Sequence, residues 1–188
     1  KLIQFARAES VGLTVVGPEA PLADGIVDAF RAEKLRIFGP SKAAAQLEGS
    51  KVFCKDLLRD ADVPTAEYRV FSDPDEATRY VLSRYPDEDQ EVPLVVKADG
   101  LAAGKGVIVC SRRAEVLDAI DQIARRRVFG DAGREMVIEE RLDGQEASVL
   151  AITDGRTIVT LPPAQDHKPA YDGDKGPNTG GMGAYCPA

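Results

Sequence analysis

The sequence predicts a mixed α/β and α+β fold, in which the end of a parallel α/β layer is followed by a region of antiparallel pairs. Two observations carry that prediction. Residues 13–38 run strand, loop, helix, strand, the order that sets two strands side by side in parallel with a helix across them. Farther on, apolar segments flank a glycine-rich loop at 95–109 and an Asp154-Gly155 dipeptide within 147–161, and both arrangements favour hairpins.

The opening segment reads as helix and leads into strand Leu13 to Val16, the loop Gly17-Pro18-Glu19-Ala20-Pro21-Leu22, and a second helix with apolar Ile26, Val27 and Phe30. A short strand, Arg36 to Phe38, closes on Gly39-Pro40. Ligands of open α/β sheets collect beyond the carboxyl ends of strands, so the GPEAPL loop after Val16 is a candidate contact loop. Residues 41–62 read as two short helices, the second starting at Ser50 as N-cap, with Phe53, Leu57, Leu58 and Ala61 on one face and Pro64 beyond its end. A third helix begins at Asp73-Pro74 with Glu76 in the capping-box position. Asp87 to Glu91 reads as a solvated acidic connection. Strand Leu94 to Lys97, the loop Ala98 to Gly106 and strand Val107 to Cys110 follow, then a helix with Val116, Ile120 and Ile123 on its apolar face, then strand Met136 to Glu140. Ala147 to Ile152 and Thr157 to Leu161 form the arms around Asp154-Gly155. Pro162 to Ala188 is rich in Gly, Pro, Asp and Asn, and a loop of that length in a compact region is usually functional or disordered.

A 44% hydrophobic share is enough to bury a core. There is no run of about 18 apolar residues and no signal-peptide pattern, which predicts a cytoplasmic protein without a membrane partner. With 24 basic against 31 acidic residues, the formal charge of −7 opposes a polyanion and predicts no nucleic-acid partner. The one dense basic run, Arg125 to Arg127, falls at the end of a predicted helix, where cations complement the macrodipole. Cys54, Cys110 and Cys186 are too scattered for a disulfide framework or a zinc motif and read as reduced, buried thiols. The chain lacks an initiator Met, starts in mid-helix pattern and stops just after a glycine-rich loop, so it is expected to be an interior piece of a larger protein.

The most informative segment is VVKADGLAAGKGVIV, residues 95–109, where Lys97 and Lys105 bracket a turn containing Gly100, Gly104 and Gly106. Glycines let backbone amides approach an anion, and each lysine adds a mobile point charge for phosphate oxygens. A Walker A loop needs four residues before Gly-Lys, then Ser or Thr and a helix. Here three residues separate Gly100 from Gly104, and Lys105 is followed by Gly106 and a β-branched run. A strand–loop–strand hairpin fits that pattern, and a merely flexible hairpin tip is the plain alternative. Lys51 stands in the opening turn of a helix, where a cation opposes the macrodipole at a cost of a few tenths, about 0.3 kcal/mol or more. A bound anion would reverse that sign, and amides exposed at the helix start would join Lys51 in holding it. Without such an anion, Lys51 is a solvated surface lysine.

These words come in a definite order: GPEAPL (17–22), QLEGSK (46–51), KADGLAAGKG (97–106), QDHK (165–168) and GPNTGGMGAY (176–185). Together they resemble the glycinamide ribonucleotide synthetase (phosphoribosylamine–glycine ligase) family of the ATP-grasp superfamily over essentially the whole chain. The resemblance implies the remnant of an N-terminal parallel α/β domain with its linking helices at 1–63. It further implies an incomplete ATP-grasp module, with a lid at 64–137 and the first part of the C-terminal subdomain at 138–188. It makes Lys51, Lys97, Gly104, Lys105 and Gly106 phosphate contacts, with Lys97 and Lys105 in the catalytic role of neutralising the transferred charge. Glu139, Glu140 and Leu142 carry over as adenine contacts, and Glu146, seven residues after Glu139, as the ribose contact. Glu19, Asp166, His167, Asn178, Thr179, Gly180 and Gly181 look toward the acceptor substrates. Pro169 and Cys186 stand where the family commonly has Arg and Ser, and loss of that Arg removes one anion contact. The family's amino-terminal glycine loop and its later Glu and Asn metal ligands have no counterpart here, so the segment alone is expected to be inactive.

The reaction so implied joins glycine to 5-phosphoribosylamine through a glycyl phosphate, with ATP and magnesium or manganese, in purine biosynthesis. The protein would be a monomer or part of a multifunctional purine enzyme. Another ATP-grasp ligase or carboxylase, such as a biotin-dependent carboxylase, and a non-catalytic nucleotide-binding module remain the alternatives. The expectation common to the nucleotide readings is that Lys51, Lys97, Lys105 and Glu146 serve one nucleotide.

Overall fold

The computed structural model describes residues 1–102, 105–173 and 175–188, with the backbone alone for Pro177 and Asn178. They form two compact units, one of Lys1–Ala102 with Gly106–Glu140, the other of Arg141–Ala188 together with Lys105.

In the first unit, α1 (Leu2–Ala8) leads to β1 (Thr14–Val15), then α2 (Glu19–Ala23), α3 (Ile26–Ala32) and β2 (Ile37–Phe38). The two strands pair in parallel, Thr14 opposite Ile37, as the strand–helix–strand order requires. The GPEAPL segment differs from the expected loop, because its second half is the helix α2. The cause is local: Pro18 is extended at the N-cap, Glu19 opens the helix beside its positive end, and Pro21 falls in the first turn, where no amide is needed. Val27 and Phe30 of α3 are buried, as the apolar spacing predicts.

Next come α4 (Lys42–Gly49) and α5 (Lys51–Asp60), with Ser50 capping α5 by accepting from Phe53 N at 3.0 Å. The expected apolar face of α5 does not form a core: Phe53 is 40% and Leu57 44% exposed, and the buried residue is Lys55. After α5 the chain enters β3 (Tyr68–Phe71), a strand that sequence reading missed, although Tyr68, Arg69, Val70 and Phe71 alternate between the two faces of the sheet. Then follow α6 (Pro74–Arg84), β4 (Glu91–Ala98), β5 (Val107–Arg112), α7 (Arg113–Ile120) continued by a π-helical turn Asp121–Arg125, and β6 (Met136–Glu140). Asp73 caps α6 through Asp75 N at 2.8 Å. The basic run ends the α7 segment as expected, with Arg125 on Asp75 and Arg126 on Asp118, both at 2.6 Å.

The four strands make one antiparallel sheet in the order β3-β6-β4-β5. Strand side chains alternate between faces, so each strand divides cleanly. Leu94, Val96 and Ala98 of β4 with Met136 and Ile138 of β6 face α6 and α7, where Val81, Val116 and Ile120 are fully buried. Each such aliphatic side chain contributes on the order of 1.5–3 kcal/mol. That packed back leaves the opposite face of the sheet to carry Lys97 and Glu139.

The second unit holds β7 (Ala151–Thr153) and β8 (Ile158–Thr160), an antiparallel hairpin turning at Asp154-Gly155. Asp154 Oδ1 accepts from Arg156 N at 2.9 Å and Thr157 N at 2.7 Å, and Gly155 takes φ +88°, the turn geometry that the dipeptide favours. The final stretch is more ordered than a long loop. It contains β9 (Gln165–Asp166), β10 (Pro169–Tyr171), β11 (Lys175–Asn178) and β12 (Ala184–Tyr185). Strands β9 and β12 pair antiparallel, as do β10 and β11, so the QDHK and GPNTGGMGAY words fold onto each other. Short strands with Gly and Pro carry no periodic signal, which is why composition alone reads as loop. Among the described residues, no helix is long and apolar enough to cross a membrane.

Candidate functional site

In the antiparallel register Val95 stands opposite Glu139 and Lys97 opposite Val137, so these four side chains share one face and Lys97 is diagonal to Glu139. Lys97 Nζ contacts Glu139 Oε1. From α5, Lys55 Nζ reaches Glu139 Oε2 at 2.5 Å, and it also donates to Thr65 Oγ1 at 2.7 Å and Ala66 O at 3.2 Å. It lies 5.3 Å from the centre of the Tyr68 ring. The Glu139 carboxylate is only 6% exposed. Its Oε2 accepts no aligned hydrogen bond despite its closeness to Lys55, so that contact is an ion pair with poor angles and the oxygen keeps acceptor capacity. A buried carboxylate flanked by two ammonium groups leaves the array with an excess positive charge. Lys97 uses one donor on Glu139, no other described residue accepts from it, and its side chain is 25% exposed. It can meet a further anion.

Lys51 opens α5, and its ammonium donates to the carbonyls of Asp99 at 3.3 Å and Gly100 at 3.1 Å. Burial pushes the Lys51 pKa down, Asp99 opposes that, and Lys97 is near enough to depress it further. The expectation of open amides at this helix start is corrected here. Lys51 N donates to Asp99 O, Val52 N to Asp99 Oδ1 and Phe53 N to Ser50 Oγ. The anion offsetting Lys51 at the positive helix end is therefore a carboxylate of the chain itself. An incoming anion would meet the Lys51 ammonium rather than the amides.

The strand–loop–strand hairpin forms as expected, β4 pairing with β5 from Leu94 to Lys97. Gly106 is buried where a side chain would collide: a Cβ there would stand 2.7 Å from that of Ala102. Lys105 is exposed and makes no ion pair with a described residue. Gly104 lies outside the described residues. Glu139 and Glu140 point to opposite faces, and Glu140 Oε1 instead accepts from Glu67 N at 3.0 Å. Glu19, the first residue of α2, is exposed.

Within the second unit, Leu142 is 68% exposed. Glu146 meets Lys168 at 2.5 Å, and Lys168 also reaches Asp166 at 3.1 Å. The bond to Glu146 raises the Lys168 pKa, and the bond from Lys168 holds the Asp166 carboxyl below its ordinary range. His167 stacks on Tyr185 with ring centres 5.9 Å apart. Thr179 Oγ1 donates to Lys168 O at 2.9 Å and accepts from Gly181 N at 3.0 Å, with Gly180 exposed beside them. For Asn178 the structure gives only a backbone pairing with Pro169.

The first unit thus brings Lys51, Lys97 and Glu139 together, and the second brings Glu146, Asp166, His167, Thr179, Gly180 and Gly181 into one small sheet region. Sequence reading missed Lys55, Asp99 and Lys168. Lys55 follows Lys51 by four residues, one helical turn, so it could have been flagged, whereas Asp99 falls inside the predicted Ala98 to Gly106 loop and its partners on α5 are distant in sequence. Among the described residues no group of three or more His, Cys, Asp and Glu side chains is placed to hold a metal ion.

Comparison with known proteins gives this geometry a family. Residues 1–48 match the family described as phosphoribosylglycinamide synthetase, N domain, and residues 49–188 match its ATP-grasp (A) domain. A curated relative, the phosphoribosylamine–glycine ligase of Rhodopirellula baltica, is 68% identical over 187 residues, covering 100% of this chain and 43% of its own length. The chain therefore spans less than half of that relative. A crystal structure of phosphoribosylamine–glycine ligase from Thermotoga maritima matches with a TM-score of 0.73 and 36% identity, covering 93% of this chain and 41% of the other. The biotin carboxylase domain of Hydrogenobacter thermophilus 2-oxoglutarate carboxylase, solved with MgADP and bicarbonate, matches with a TM-score of 0.69 over 89% of this chain and 37% of the other. At 16% identity that likeness shows the fold alone. The chain belongs to the phosphoribosylglycinamide synthetase family, and its fold is the mixed one of an N-domain parallel pair followed by ATP-grasp structure.

Proposed function

We propose that the chain serves ATP-dependent ligation of glycine to 5-phosphoribosylamine, a step of purine biosynthesis. The observation that carries this reading is the placing of Lys97 and Lys51 near one another at the glycine-loop end of the β4–β5 hairpin, with Glu139 and Lys55 behind them. A carboxylate resists attack by an amine because it is already negative and would have to expel oxide. Transfer of the γ-phosphoryl group of ATP to a glycine carboxylate oxygen breaks its bond to ADP and gives glycyl phosphate. The amine of phosphoribosylamine then attacks the acyl carbon, phosphate leaves, and the nitrogen loses a proton. Positioning and charge neutralisation supply most of such catalysis.

On this reading Lys51, Lys97 and Lys105 neutralise phosphate charge, and Gly104 and Gly106 let the backbone come close. Glu139, Glu140 and Leu142 take the adenine end, and Glu146 accepts from ribose hydroxyls. Glu19, Asp166, His167, Asn178, Thr179, Gly180 and Gly181 serve the acceptor substrates. Magnesium or manganese accompanies ATP, and no described residue is assigned to it. The divisions 1–63, 64–137 and 138–188 are the proposed functional segments, and a cytoplasmic location belongs to the same reading. The test is product analysis on the full-length protein with ATP, glycine and phosphoribosylamine. Glycinamide ribonucleotide, ADP and phosphate should form in equal amounts, and Lys105→Ala should lower that rate while leaving the circular dichroism spectrum unchanged. Absence of the amide product, or full activity of Lys105→Ala, would refute the assignment it addresses.

A further inference from the structure

Asp99 lies just past the end of β4 and has no part in the roles above. Its carbonyl accepts from Lys51 N at 3.2 Å and from Lys51 Nζ at 3.3 Å. Its Oδ1 accepts from Ser50 Oγ at 2.9 Å and Val52 N at 2.8 Å. Its own amide donates to Glu135 O at 3.1 Å, and the next amide, Gly100 N, donates to Ala132 O at 3.2 Å. One residue therefore joins three pieces of chain: the end of β4, the first turn of α5, and the segment entering β6. Lys51 and Lys97 belong to different elements and repel each other, so no mutual attraction holds them side by side. The Asp99 carboxylate satisfies the Val52 amide and its carbonyl the Lys51 amide, both otherwise orphaned at the helix start, and the carboxylate's charge stabilises the positive end of α5.

We infer that Asp99 is a positioning residue for the lysine pair: it locks the first turn of α5 onto the end of β4 and so fixes Lys51 beside Lys97. The inference rests on the proposed reading of these lysines as phosphate ligands. Geometry and charge make separable contributions. Asn in place of Asp keeps an acceptor for Ser50 and Val52 but removes the negative charge. The charged groups facing Lys51 are Asp99, Lys97 and Glu48, and among them Asp99 is the leading group that favours the ammonium form. Removing its charge makes Lys51 lose its proton at lower pH.

The experiment measures ATP dissociation constants of the full-length protein from neutral to alkaline pH for Lys51→Ala, Asp99→Ala and Asp99→Asn. Lys51→Ala and Asp99→Ala should each weaken ATP about tenfold at neutral pH with an unchanged circular dichroism spectrum. Asp99→Asn should recover most of that affinity at neutral pH, while its alkaline loss of binding moves to lower pH. A purely structural cap would not move that limb. Wild-type affinity in Asp99→Ala, with Lys51→Ala impaired, overturns the positioning role alone. Wild-type affinity in Lys51→Ala overturns the phosphate reading and the inference with it. If Asp99→Ala does not fold, Asp99→Asn decides, and an alkaline limb that stays in place overturns the proposal.

Discussion

Glu139→Gln removes the carboxylate that contacts both Lys55 and Lys97. Lys55 is 11% exposed at its side chain and Glu139 6%, so the change leaves a buried ammonium without its counter-ion. Breaking such a pair from one side costs about 3–5 kcal/mol. The lower end applies, because Lys55 keeps its bonds to Thr65 and Ala66 and Lys97, at 25% exposure, can turn to water. With a urea slope of about 2 kcal/mol/M, a loss of about 3 kcal/mol moves the unfolding midpoint down by about 1.5 M. The assay is urea unfolding of the 188-residue chain, followed in parallel by circular dichroism and tyrosine fluorescence, since the chain has no tryptophan. The double variant Lys55→Met with Glu139→Leu should regain much of the loss, because replacing a buried pair jointly by apolar groups is often close to neutral. A midpoint shift below about 0.3 M for Glu139→Gln would refute the claim that this carboxylate is the buried counter-ion of the array.

Other outcomes follow from the same structure. Burial pushes the Cys110 thiol up to about 12, so peptide-level alkylation at pH 8 should label exposed Cys186 readily and Cys110 only after unfolding; comparable native rates would contradict the buried placement. In the second unit, the amides of Thr157 and Arg156 hold Asp154 low and Lys168 holds Asp166 low, whereas Lys168 is held high by Glu146. The two aspartates therefore contribute stability above the ordinary carboxylate value, about 3.9, that is lost as pH falls through their depressed values. Lys168 contributes stability below its ordinary value, about 10.4, that is lost as pH rises through its raised one. Asp154→Asn and Lys168→Met should flatten the acid and alkaline limbs of unfolding respectively, and unchanged limbs would rule those bonds out. Glu146→Ala in the full-length protein should weaken ATP more than glycine in steady-state kinetics, and equal losses would argue against a ribose contact.

Much of the fold was legible because its elements carry periodic or capping signals. The parallel pair, the Ser50 cap, the β4–β5 hairpin and β6 all follow from apolar spacing and turn residues. The misses have physical causes. Strand β3 is four residues long, too short for alternation to stand out, and its place is set by pairing with β6. Apolar positions on α5 predicted a buried face, yet its inward residue is Lys55, because the partner surface carries Glu139. Helix α2 hides in a segment with two prolines. At the site, Lys51 and Lys97 could be singled out from local rules. The clasp by Asp99 could not, since it joins residues 47 to 49 positions apart and no local spacing encodes that closure.

A crystal structure of the full-length protein with a non-hydrolysable ATP analogue tests the central claim most directly. It should place phosphate oxygens within hydrogen-bond distance of both the Lys51 and Lys97 ammonium groups, with Asp99 still seated on the first turn of α5. Triphosphate density that touches neither lysine would contradict the account.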